Sequence, residues 1–166
     1  MKVTLKGVID EDFVNFKKPS MYLAFPYCSF KCEQECGRKV CQNGALAHQC
    51  NIQVSASILF ERYQKNPITK AIVCGGLEPF DSWTSLKNLI RGFRMFTEDP
   101  IVIYTGYKED ELVEELKWLR QYNNILIKFG RFVPDKEDHY DELLGVKLAS
   151  PNQYAKWVGG TNESKN

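Results

Sequence analysis

Cys28, Cys32 and Cys36 recur at equal intervals in Tyr27-Cys28-Ser29-Phe30-Lys31-Cys32-Glu33-Gln34-Glu35-Cys36. Thiolates are soft ligands that select zinc or iron–sulfur centres. Three of them neither close a tetrahedral zinc site nor fill every corner of a cubane cluster, so one corner is left for a substrate. Cys41 lies five residues beyond Cys36 and can replace it as third ligand, or join it, because a flexible loop tolerates uneven spacing. With all four engaged, the same loop would wrap one zinc ion or one saturated cluster, and the chain would be a binding protein or an electron carrier. The remaining cysteines read as structural. Cys74 falls at a strand end, where free cysteine is most often a small core residue, and His48 with Cys50 is too tightly spaced for a zinc knuckle.

A disulfide framework belongs to small secreted chains that lack a proper core. Here 166 residues, 43 % apolar and 13 % aromatic, can bury one sizeable core. The first residues lack the apolar run of a signal peptide, and no stretch approaches the roughly 20 apolar residues of a membrane span. The expectation is a soluble, cytoplasmic protein with reduced thiols. Basic and acidic residues nearly cancel at 22 and 21, which leaves no global field to draw the chain onto nucleic acid or an anionic membrane.

The elements that must position the cysteines follow from the apolar pattern. Residues 21–25 form a short apolar run ending at Pro26, a buried strand that delivers the cysteine loop. Val54, Ile58, Leu59 and Tyr63 have helical spacing, stopped by Asn66-Pro67. Residues 68–74 read as a strand running into Gly75-Gly76. A second helix, N-capped by Asp81 or Ser82, carries the stripe Leu86, Leu89, Ile90, Phe93 and Phe96 and ends at Asp99-Pro100. After a strand over 101–104, a third helix starts near Lys108 with core positions Leu112, Val113, Leu116 and Leu119, its first turn acidic as the helix dipole prefers. Residues 124–129 are the next strand.

Strands alternating with helices give βαβ units, a mainly parallel sheet and right-handed crossovers. Loops at the carboxyl ends of such strands bind ligands, so the cysteine loop, the Gly75-Gly76 turn and the Thr105-Gly106 turn should converge. Lys128, Arg131 and His139 read as solvated surface residues, and residues 134–140 as an acidic surface loop. Trp83, Trp118 and Trp157 should finish the core or its rim. Residues 1–158 read as one domain and 159–166 as a polar, flexible tail.

Taken in order, the cysteine loop, Cys74-Gly75-Gly76-Leu77-Glu78-Pro79, Tyr104-Thr105-Gly106-Tyr107, Phe129-Gly130-Arg131-Phe132 and Ser150-Pro151-Asn152-Gln153 resemble the radical S-adenosylmethionine enzymes, specifically the short activating enzymes of anaerobic ribonucleotide reductase. The resemblance runs from about residue 20 to residue 155. It implies an α/β fold of the small incomplete parallel βα-barrel type, with Cys28, Cys32 and Cys36, or Cys41 as alternative third ligand, holding three irons of a [4Fe-4S] cluster. The fourth iron would chelate S-adenosylmethionine. Gly75, Gly76, Glu78, Pro79, Tyr104, Thr105 and Gly106 would shape the cofactor site, the two glycines by letting backbone approach the methionine amino group.

The implied reaction is reductive cleavage of S-adenosylmethionine to a 5′-deoxyadenosyl radical, which would generate a glycyl radical on a partner, the anaerobic ribonucleotide reductase. A flavodoxin- or ferredoxin-type protein would supply the electron. The chain departs from the family pattern in three places. Members carry Cys-x3-Cys-x2-Cys with an aromatic residue before the third cysteine, whereas Glu35 precedes Cys36 here; Phe129 replaces an aspartate; and Tyr154 follows Gln153 where arginine is common.

Overall fold

The computed structural model describes residues 1–161. In chain order its strands and helices are β1 (Lys2–Leu5), β2 (Gly7–Asp12), β3 (Ser20–Phe25), α1 (Lys31–Cys36), α2 (Gly44–Ala47), β4 (Ile52–Ser55), α3 (Ala56–Lys65), β5 (Ile72–Gly76), α4 (Trp83–Phe93), β6 (Ile101–Tyr104), α5 (Val113–Leu119), β7 (Ile125–Phe129), β8 (His139–Asp141), β9 (Val146–Leu148) and β10 (Tyr154–Val158). A six-stranded sheet runs β10-β7-β6-β5-β3-β2. Its four inner strands are parallel, and β10 and β2 pair antiparallel at its two edges. The inner strands are continuous apolar runs because both of their faces are covered.

The parallel strands step across the sheet in one direction, β3, β5, β6, β7. Right-handed crossovers between strands in that order put every crossover helix on the same face. That is what is found: Leu59 and Tyr63 of α3, Leu86, Leu89, Ile90 and Phe93 of α4, and Leu116 and Leu119 of α5 share one core with Leu23, Ile72, Ile103 and Ile127. Alternate strand residues point the other way. Val73, Val102 and Leu126 pack under Phe16, Leu144 and Leu148, so a loop and the β8–β9 hairpin cover the face that has no helix. The sheet does not close into a barrel among the described residues; its edges are β10 and β2. None of the helices described is long and apolar enough to cross a membrane.

Several local expectations change. Val54 is not helical: it lies in β4, paired with Val3 of β1, and the helix begins at Ala56 with Ala56, Leu59 and Tyr63 inward while Ile58 is half exposed. Ile68 is also exposed, because Asn66 Oδ1 accepts from the Ile68 amide at 2.9 Å and holds a turn there; the strand starts at Ile72. Before α4 the chain makes a tight turn over Pro79–Ser82 capped by Glu78, whose Oε1 accepts from the Phe80 amide at 3.1 Å; Ser82 takes the expected N-cap position of α4, but without a side-chain hydrogen bond. Phe96 falls beyond the end of α4 yet packs on its core. Glu109–Glu111 form a separate turn ahead of α5, leaving Val113 exposed.

His139, expected at the surface, is half-buried at the start of β8, which removes 139–140 from the expected loop. Trp83, Trp118 and Trp157 pack partly buried at the rims of the two cores. Within the expected tail, the Gly160 carbonyl accepts from the Asn124 amide at 2.8 Å; residues 162–166 lie outside the described part.

Candidate metal centre

The carboxyl ends of β3, β5, β6 and β7 surround a cavity of about 320 Å³. Cys28, Cys32 and Cys41 line one wall, Gly76, Leu77 and Glu78 the next, then Thr105, Gly106 and Tyr107, and finally Lys128, Gly130 and Arg131. The expected convergence of the three loops is therefore present. Cys36, Gly75 and Pro79 do not line the cavity. Tyr104 does, with its hydroxyl donating to the Asn15 carbonyl at 2.6 Å.

The turn after β5 is built by close packing. Gly76 has φ +84°, and a Cβ there would stand 2.8 Å from both Ala24 Cα and Phe25 N. At Gly75 a Cβ would meet the Tyr22 hydroxyl at 2.8 Å, and that hydroxyl accepts from the Gly76 amide at 2.6 Å. Both glycines are thus required by β3 and Tyr22 packed against them. Past the strand end, the Leu77 and Glu78 amides donate to the Phe25 and Tyr27 carbonyls at 3.1 and 2.7 Å, which pins this turn beside the first cysteine.

Glu78 is buried and ties β5 to β6. Its carboxylate accepts from Thr105 Oγ1 at 2.8 Å and from the Gly106 amide at 2.9 Å, besides the Phe80 amide. Burial pushes its pKa up to about 7 against the pull of these three donors. Asp81 ties the cysteine loop to the same place, accepting from the Ser29 amide at 2.7 Å and the Tyr107 hydroxyl at 2.6 Å.

Two residues expected to be solvated are part of this wall. Lys128 is buried, and its ammonium donates to the Gly130 and Thr105 carbonyls at 3.1 and 3.3 Å. Burial lowers its pKa to about 8, opposed by the Glu78 charge. Its signal in the sequence was a lysine inside the apolar run Ile125-Leu126-Ile127-Lys128-Phe129. Arg131 is 4 % exposed and makes two 2.7 Å bonds to the Glu111 carboxylate. Its Nε stands 3.1 Å from Glu35 Oε1 without the alignment of a hydrogen bond. Nothing in local sequence joins Glu35, Glu111 and Arg131.

The late segment supports this corner. Asn152 donates to the Arg131 carbonyl at 2.8 Å, and Gln153 donates to the Gly130 carbonyl at 3.3 Å. Phe129 and Tyr154 are register partners with ring centroids 5.6 Å apart, so these two departures from the family pattern pack on each other.

The donor set suits an iron–sulfur centre: three soft thiols share one wall in partly buried positions. Burial pushes the Cys28 thiol up to about 12 and raises that of Cys32, whose second cause is the charge of Cys41. A lone thiolate is disfavoured there, and a cationic centre would compensate it. Among the described residues no three His, Cys, Asp or Glu side chains are gathered tightly enough for a single metal ion; a cubane takes each thiolate on a different iron and so holds them farther apart. Cys50 and His48, expected to be structural, are exposed, whereas Cys74 is buried as expected.

A family model described as a 4Fe-4S single cluster domain matches residues 20–153, from the start of β3 to the segment that buttresses Gly130 and Arg131. No curated protein and no solved structure matches the chain.

Proposed function

We propose a function from one premise: the chain belongs to the 4Fe-4S single cluster domain family, which is seen in radical S-adenosylmethionine proteins. On this reading it is an oxygen-sensitive iron–sulfur enzyme that activates a glycyl-radical partner, the anaerobic ribonucleotide reductase being the client its sequence motifs resemble most. The observation that carries the reading is the meeting of three cysteines, the Glu78 clamp and the Lys128 ammonium in one cavity at the carboxyl ends of the parallel strands. The strand order, stepping in one direction with all crossover helices on one face, supports an incomplete βα barrel.

Cys28 and Cys32 would hold two of the irons, and the third ligand comes from the same loop. When bound, the cluster and S-adenosylmethionine together supply one-electron cleavage of the sulfonium, giving methionine and a 5′-deoxyadenosyl radical able to take a hydrogen atom from a glycine. The chain's own residues place and shield that chemistry. Lys128 offers a buried cation for the carboxylate of the methionine moiety. Glu78 holds Thr105 and Gly106 against the turn after Gly76, fixing the opposite wall. Electrons would come from a flavodoxin- or ferredoxin-type donor.

Anaerobic reconstitution tests the reading. The protein should turn brown, give a reduced-cluster paramagnetic signal that shifts on adding S-adenosylmethionine, and form 5′-deoxyadenosine under reduction. A glycyl-radical doublet should appear only with the reductase and S-adenosylmethionine both present. A colourless zinc protein, or a cluster whose signal ignores S-adenosylmethionine, would sink it.

A further inference from the structure

We infer that the third cluster ligand is Cys41, leaving Cys36 a free thiol, so that eight residues separate the second and third ligands. This rests on the cluster-binding reading above and assigns the ligands within it. The even spacing of Cys28, Cys32 and Cys36 favours Cys36 in sequence; the path of the chain in space does not.

Cys32 lies in the first turn of α1 and Cys36 closes its last turn. Gly37 then takes φ +67°, its amide donating to the Glu33 carbonyl at 2.9 Å, the left-handed cap that ends a helix and turns the chain. Two hydrogen bonds bring the chain back to the cavity. The Cys41 amide donates to Glu33 Oε1 at 3.2 Å, and the Asn43 side chain donates to the Gly76 carbonyl at 2.7 Å, directly at the end of β5. Cys41 itself carries the first of these bonds and lies two residues before the anchor on Gly76, and it lines the cavity with Cys28 and Cys32. Cys36 stays outside, at the far end of α1.

The test is anaerobic reconstitution of the full chain as wild type, Cys28→Ala, Cys36→Ala, Cys41→Ala and the double variant Cys36→Ala with Cys41→Ala, read by iron and sulfide per chain and by visible absorption. Circular dichroism of the unloaded proteins checks folding, which none of these substitutions in the partly exposed loop should disturb. Cys36→Ala should load to the wild-type level, and Cys41→Ala should lose the cluster as Cys28→Ala does. Alkylation of the loaded wild type, mapped by mass spectrometry, should label Cys36 and spare Cys41. Loss of the cluster in Cys36→Ala with retention in Cys41→Ala would overturn the assignment and leave the function standing. Retention in both single variants, with loss only in the double variant, would also overturn it by making the thiols interchangeable. A wild type that takes up no iron and sulfide would instead sink the function itself.

Discussion

Lys128 places an ammonium in a buried strand, where the Thr105 and Gly130 carbonyl oxygens of the cavity wall are its hydrogen-bond partners. Burial costs an ammonium stabilisation, and a ligand carboxylate restores it. Lys128→Ala should therefore weaken S-adenosylmethionine binding by about 2 kcal/mol, roughly thirtyfold in Kd, while cluster content stays at the wild-type level. A titration of the cluster signal with S-adenosylmethionine reads both. Because the pKa is lowered to about 8, affinity should fall as pH rises through 8, and Lys128→Ala should abolish that fall. At Gly75 the constraint is steric. A Gly75→Ala methyl would collide with the Tyr22 hydroxyl, a group that Tyr22→Phe removes. Tyr22→Phe alone should cost about 1 kcal/mol by orphaning the Gly76 amide. In the double variant thermal melts should show less than the sum, with a coupling of roughly 1 kcal/mol; strict additivity would mean that the strand ends do not pack this way. Neither role could be read locally, since Lys128 looks like an end-of-strand surface charge and Tyr22 lies 53 residues before Gly75.

At the scale of elements, legibility followed the range of the interactions. The strands over 101–104 and 21–25 were readable because continuous apolar runs bounded by proline or glycine suffice to mark a doubly covered strand. β4 was not, because Val54 is made a strand residue by Val3, far away in sequence, and pairing at that distance overrides a helical pattern. The convergence of three loops was legible from the βαβ alternation; the return of Cys41 to the cavity was not, because a helix cap, a bond back to Glu33 and a long-range bond from Asn43 to Gly76 set the path of the chain. The same limit hid the Glu111–Arg131 pair, which joins the turn after β6 to the segment after β7. Arg131 holds the Glu111 carboxyl down at about 2, mainly by hydrogen bonding. A depressed carboxylate contributes stability that is present above its unfolded pKa, about 4.3, and is lost as pH falls toward 2. Glu111→Gln should therefore destabilise the unloaded protein at pH 7 by about 1–3 kcal/mol, since it leaves a buried guanidinium half-partnered. Urea unfolding should show the difference from wild type shrinking below pH 4 and vanishing near pH 2. A gap that persists unchanged at pH 2 would assign the loss to packing.

The whole molecule separates a core that needs no metal from a loop that does. Neither α1 nor α2 buries a residue, and the two cores are built from the sheet, α3, α4, α5 and the covering hairpin, with Cys74 as their one cysteine. Small zinc domains behave otherwise, because their metal supplies most of the folding free energy. Here removal of the cluster by chelation under oxidising conditions should leave a protein that still melts cooperatively and keeps its far-ultraviolet circular dichroism. The loop is tied down by the contacts of Asp81, Asn43 and Glu35, by the Lys6 ammonium on the Ala47 and Gln49 carbonyls, and by the Lys31–Glu111 and Arg38–Asp135 ion pairs. Polar bonds at partly or fully exposed positions, with no apolar residue buried beneath them, open more readily than the core. Hydrogen exchange should therefore rise on cluster removal within residues 28–50 and at the Gly76 turn that Asn43 caps, while β5, β6 and β7 keep their protection. Loss of protection across the central strands would show that the cluster holds the whole fold together and not only the wall of its own cavity.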